Sequence, residues 1–209
     1  MGVRERRAME KEARRNQILD AARDLLFTQG IHQVSISKIS KASQLAVGTL
    51  YFHFKNKEEI FIALQQEGLD LLYTIIAPIV SQPILSEGDK LRQVARAYLD
   101  FSREQEAYFT IINAFLSSPR VFFLQDQKAV VDQSGNRVIE LIRQLVEEGC
   151  EKGVFQEREP ARFAVFFWGG LHGLLQFKKF EQTILGGEAH ETLYFYSVEK
   201  MIQSIQIQP

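Results

Sequence analysis

One short stretch, SISKISKASQLAVGTLYFHFKNKEE (residues 35–59), carries the hydroxyls of Ser35, Thr49 and Tyr51, the imidazole of His53 and the ammonium groups of Lys38 and Lys57. Such donors and cations hold phosphate oxygens. Thr49 can reach a base edge or a phosphate, and Tyr51 a phosphate or a thymine methyl. Ser35, His53 and Lys57 suit phosphate, and Lys38 is a further DNA-binding candidate.

These side chains need elements that present them together. Ser35 can cap a short helix by accepting from the N–H of Lys38, while Ile36 and Ile39 turn one face inward. That helix stops near Ala42 to Leu45. A second helix is predicted over about Val47 to His53, with Leu50 and Phe54 buried and Thr49, Tyr51, Phe52 and His53 turned outward. Two short helices this close form a helix-turn-helix, whose second helix enters the major groove while the first crosses the backbone. Asn56 with Glu59 reads as a capping box opening a long helix, with Lys57 in its first turn.

Arg15, Ile18-Leu19, Ala21-Ala22, Phe27, Gly30, Ser35, Ile39, then GTLYFHF and Lys57-Glu58-Glu59 together resemble the TetR-type (TetR/AcrR) transcriptional regulators over roughly residues 12 to 62. The resemblance implies an all-helical homodimer, a palindromic double-stranded DNA operator and a small-molecule effector. Two positions depart from the family pattern, which has glycine in the turn and serine capping the recognition helix: here they are Gln44 and Ala46. Gln44 meets a steric cost if the turn keeps a positive φ, and Ala46 forgoes a cap worth about 1 kcal/mol. Base contacts therefore pass in part to Gln44 and Val47, a glutamine being suited to an adenine edge.

The net charge of −1 hides an asymmetry. Residues 1–57 hold eleven Lys and Arg against five Asp and Glu, and the remainder fourteen against twenty-one. A basic head on an acidic body suits a chain that meets phosphates at one end. Arg4, Arg6 and Arg7 belong to a basic arm, residues 1 to 14, expected to be partly disordered; it follows a phosphate backbone, enters a minor groove or is a solvated tail. Hydrophobic residues make up 45 % of the chain, enough for a large core, and the single cysteine fits a reducing cytoplasm. The N-terminus lacks the apolar segment of a secretory signal.

Helical periodicity continues to the end of the sequence. Helices are predicted over about Arg14–Gln29, Asn56 to Pro78, Asp89–Glu104, residues 107–116, a long stretch to about Lys152, residues 161–177 and Glu191–Gln206. The run at 107–116 is apolar on nearly every side and should be enclosed. The fold class is all-α: a three-helix DNA-binding domain with a helix-turn-helix (1–56) and a helical effector-binding and dimerisation domain (57–209).

Of the 16 Phe, 12 follow residue 100. Most serve as core, but an apolar pocket with a few inward polar groups would draw on Tyr98, Phe101, Phe109, Asn113, Phe123, Trp168, His172 and Gln176. Its occupant would be apolar or aromatic. The run at 161–177 is too short and interrupted for a membrane span. It pairs instead with the last helix as a bundle shared by two subunits, through Phe167, Leu171, Leu174, Leu175, Val198, Met201, Ile202 and Ile205.

The four histidines show no metal-ligand spacing, and no phosphate loop or nucleophile motif is visible, so no enzyme, cofactor or metal is expected. Cys150 lies beside Glu148 and Glu151, which disfavour its thiolate. The residues point to a cytoplasmic, ligand-responsive, dimeric DNA-binding repressor. The competing reading is a helical adaptor that binds DNA without sequence preference and acts through a protein partner.

Overall fold

A computed structural model of the protein describes residues 2–117, 125–177 and 181–207. Two compact units emerge, Met1–Leu69 with Gln105–Asp132 and Asp70–Glu104 with Gln133–Pro209. Nine α-helices lie among the described residues, whose one β feature is an isolated antiparallel bridge between Phe155 and Gln206.

The first unit opens with α1, Val3–Gln29. It starts well before the expected Arg14, and the arm is helix, not disordered chain. Arg4 to Gln17 holds no Gly, Pro or β-branched residue, and Arg6 pairs with Glu10 one turn on at 3.7 Å, so propensity sustains the helix where nothing covers it. Packing begins only at Ile18 and Leu19, both fully buried, and continues through Ala22 and Leu26. The helix ends at Gly30, at φ 75°, whose N–H donates to the Leu26 carbonyl.

After a single 3₁₀ turn, α2 (Ile36–Ser43) and α3 (Val47–His53) follow at the expected bounds. α4 covers Lys57–Val80, running past Pro78 because a proline in the last turn removes only one ladder bond. Its opening carries the Asn56 cap, which accepts from Glu59 N–H at 2.9 Å. The return bond of the box is shifted: the Glu59 carboxylate accepts from the N–H of Lys55 at 2.8 Å.

Later in the chain, α6 (Glu106–Ser117) packs on α1. It buries Ile111, Ile112 and Phe115 but leaves Leu116 55 % exposed, so it is less enclosed than its composition implies. A polar knot joins three helices: Arg23 and Tyr108 both donate to Glu67 Oε2 at 3.1 Å. Gly68 makes room for the Tyr108 side chain, whose Cβ a Cβ on Gly68 would meet at 2.9 Å and whose ring at 3.0 Å.

The second unit contains α5 (Glu87–Glu104), most of α7 (Gln125–Glu151), α8 (Pro160–Leu175) and α9 (His190–Gln203). Ser86 caps α5 by accepting from Asp89 N–H. Arg92 forks onto Glu199 at 2.7 and 2.9 Å, while Arg96 and Arg103 share Glu191, tying α5 to α9. The Tyr194 hydroxyl donates to the Ala95 carbonyl at 2.8 Å in the interior. α7 stops at Gly153, at φ 69°.

Candidate nucleic-acid interface

The geometry starts at the turn. Gln44 terminates α2 with φ 55° and ψ 29°, the left-handed region, and it is the one non-glycine residue of positive φ among those described. The turn therefore retains the backbone that glycine favours, with glutamine carrying the strain. Around it the Leu45 N–H donates to the Ser40 carbonyl at 3.1 Å and the Ser40 hydroxyl to the Leu45 carbonyl at 2.6 Å. Ala46 caps α3 with backbone alone.

Anchored by Leu50, fully buried, and Phe54 at 5 % exposure, α3 turns Val47, Tyr51 and Phe52 to solvent. Tyr51 and Phe52 are 54 % and 72 % exposed, uncommon for rings this large, and Thr49 and His53 are half-buried beside them. Ser35 caps α2 by accepting from Lys38 N–H at 3.3 Å, and its own hydroxyl proton stays available. Lys38 reaches Gln29 Oε1 at 2.7 Å but is exposed. Lys57 is drawn toward its own chain: its ammonium donates to the Val34 carbonyl at 3.4 Å and lies over the Phe61 ring at 5.4 Å. It would have to change rotamer to meet a phosphate.

Sequence patterning pointed to the arm through Arg4, Arg6 and Arg7. The side chains that line a cleft of ≈ 580 Å³ against α3 are Arg7, Glu10, Lys11 and Arg14, opposite Gly48, Thr49, Phe52 and His53. Spacings of four and three residues put Arg7, Lys11 and Arg14 on one face, a signal that needed the helix to begin early. His53 is held below the usual imidazole range by desolvation and then by the charges of Lys11, Arg14 and Arg15, so it is a neutral donor-acceptor near neutral pH.

The apolar-pocket candidates divide between the units. In the second, Tyr98 and Phe101 are at most 1 % exposed and belong to the core. Tyr98 packs against Trp168 with the rings tilted by 37° and centroids 4.3 Å apart, and its hydroxyl lies 2.7 Å from His172 Nδ1. Burial raises the phenol's pKa and lowers the imidazole's, so the hydrogen bond joins two neutral groups. Gln176 is exposed. Phe109 and Asn113 are half-buried on α6 in the first unit, and Phe123 lies outside the described residues.

The expected dimer residues are mostly turned inward. Phe167, Leu171, Val198, Met201, Ile202 and Ile205 are all at most 8 % exposed within one chain, in which α8 and α9 pack on each other and on α5. Gly170 permits the approach, since a Cβ there would meet Met201 Sδ at 2.8 Å. Leu174 and Leu175 are half-buried. The uncovered side of α8 instead shows Val165 and Phe166, 59 % and 57 % exposed, with Tyr196 of α9 61 % exposed. α4 is the one described helix long and apolar enough to cross a bilayer, and the chain itself buries much of it.

Residues 18–64 match the family described as bacterial regulatory proteins, tetR family, and residues 91–201 the Tetracyclin repressor-like C-terminal domain. The chain is 45 % identical over 60 residues to the fatty acid metabolism regulator protein of Bacillus subtilis, covering 29 % of this chain and 31 % of that one. It is 25 % identical over 122 residues to the transcriptional activator FasR of Mycolicibacterium smegmatis, covering 57 % and 55 % respectively. The alignments thus span about a third and about half of those relatives. The fold is that of the fatty acid degradation regulator FadR from Bacillus halodurans, with TM-score 0.68 and 22 % identity over 90 % of this chain and 94 % of that one. With one family model covering α3 and its supports and a second covering more than half of the sequence, the chain belongs to the TetR family of DNA-binding transcription regulators and is not an enzyme.

Proposed function

We propose that the protein is a cytoplasmic, homodimeric repressor that binds a palindromic operator and leaves it when a small apolar effector binds. The observation that carries the reading is α3, which exposes Val47, Tyr51 and Phe52 beside Thr49 and His53 at the basic end of the chain. Ser35, Lys38 and Gln44 extend that surface, and two copies set the half-site spacing. The functional division of 1–56 from 57–209 falls where α4 begins.

For the effector, the reading rests on Tyr98, Trp168 and His172: two aromatic faces and one polar pair in an apolar surround. Two relatives are named for fatty acid metabolism or degradation, which favours an acyl chain over an aromatic ring. An effector that prefers one of two conformations needs a coupling of about 1–3 kcal/mol to release DNA. Dimerisation passes to the uncovered faces of α8 and α9, through Val165, Phe166 and Tyr196.

Selection of sheared genomic DNA on the purified protein tests the first part, with Tyr51→Ala beside it. The reading expects one palindromic site enriched by the wild type and lost in the variant. Equal retention of all fragments by both would favour the non-specific adaptor instead. For the effector, fatty acids and their thioesters should release wild type from that site, and Trp168→Ala with His172→Ala should abolish the response. Tighter binding on addition of the acyl chain would reverse the sign of regulation, as the name of FasR allows.

A further inference from the structure

We infer that the overhanging first four turns of α1 form a second DNA-contacting surface, a phosphate-binding face of Arg7, Lys11 and Arg14 that grips the duplex backbone beside the segment read by α3. The inference rests on the DNA-binding reading above and adds to it a partner surface outside the helix-turn-helix.

Residues 3–17 are helical yet exposed, Arg15 alone being half-buried. A helix of that length is marginal in water without a packing face. This one has no such face, its two large apolar side chains, Val3 and Met9, being 60 % and 61 % exposed. What it does have is charge. Arg6 is matched by Glu10 and Arg15 by Glu12. Among the described residues no carboxylate lies within ion-pair reach of Arg7, Lys11 or Arg14.

Those three unmatched cations share the face that looks onto α3 and line the cleft with Gly48, Thr49, Phe52 and His53. Lys11 Nζ sits 5.7 Å from the centroid of the exposed Phe52 ring, which orients the extension against the recognition helix. Three like charges line one cleft in which Glu10 is the only carboxylate. Desolvation first, and then the charges of Lys11 and Arg14 together with Arg15, lower the His53 pKa against the opposing charge of Glu12. Such a cleft is repelled from itself until an anion enters.

The dimensions suit a polyphosphate. From Arg7 to Arg14 the helix rises about 10 Å. A DNA strand places a phosphate about every 3.4 Å along its axis, so three cations can follow one strand over about three nucleotides. A single small anion would use one of them and leave the others unmatched.

The experiment measures affinity against salt for wild type and Arg7→Ala/Lys11→Ala/Arg14→Ala, on the selected operator and on a random duplex. Each is used with long flanks and with flanks trimmed to the palindrome. For wild type, trimming should weaken binding; for the triple variant it should not. The triple variant should lower the slope of log affinity against log salt by about two to three and weaken binding by 10- to 100-fold near physiological salt. Glu10→Gln, which leaves the cations in place, should tighten binding.

A wild type that selects its palindrome, with a triple variant of unchanged slope and circular dichroism, would overturn the phosphate face and leave the regulator reading intact. A wild type without site preference would overturn the regulator reading. The random duplex would then still decide the phosphate face, which is sustained by a lowered slope and overturned by an equal one.

Discussion

Gln44 is a residue held against its own preference. The left-handed region costs an ordinary residue about 1–2 kcal/mol, and glycine returns part of that gain as unfolded-state entropy. Gln44→Gly should therefore raise stability by about 0.5–1 kcal/mol in urea titration. If Gln44 also contacts a base, the same change should weaken operator binding, separating the two roles. The histidines make a second prediction. His53 and His172 both have folded pKa values below the ordinary 6.5, so the unfolded chain takes up protons first as pH falls. Their contribution is full above about pH 6.5 and is lost as pH drops below it. The carboxylates of Glu87, Asp89, Glu191 and Glu199 are lowered by Lys152, Ser86, Arg96 with Arg103, and Arg92, and their contribution fades only below about pH 4.5. Melting temperature should thus fall between pH 7.5 and 5.5, and fall less in His172→Gln.

Among the elements, α2 and α3 were legible to the residue because their signals are local: a serine cap, a turn and a buried Leu50. The start of α1 was not. Periodicity detects a helix by the face it buries, and residues before Ile18 bury none. α8 shows the reverse difficulty. Its sequence, PARFAVFFWGGLHGLL, is apolar on most sides, so nothing in it tells which side meets α9 and which stays uncovered within one chain. Tertiary placement decided that Phe167 and Leu171 face inward. Tyr98, Trp168 and His172 were singled out only by residue type, whereas their ring contact and hydrogen bond required the packing of α5 against α8. Another close approach was invisible beforehand: a Cβ on Gly149 of α7 would lie 2.2 Å from the Phe155 ring. Gly149→Ala should lower stability by about 2–3 kcal/mol, measured by chemical denaturation, because a ring edge packed below Gly149 cannot yield as a flexible side chain would.

At the scale of the molecule, the dimer proposal depends on which apolar surface is left over. Phe166→Glu should yield monomers in sedimentation experiments with little change in monomer melting, since Phe166 is already 57 % exposed. Met201→Ala, by contrast, should destabilise each chain by about 2 kcal/mol or more and leave that face intact. A dimer unaffected by Phe166→Glu would move the interface elsewhere. The first unit has a different reach, because it is assembled from Met1–Leu69 and Gln105–Asp132, with the second unit's α5 between them in sequence. Recombination acts on sequence. A crossover anywhere between Glu67 and the end of α5 would bring Arg23 and Glu67 from one parent and Tyr108 from the other, and would set a foreign α6 on a native α1. An exchange of recognition helices would have to keep the buried Ile39, Leu50 and Phe54 that seat residues 35–54 in the first unit, while a single exchange of whole halves would inherit a mismatched support for the DNA-reading end.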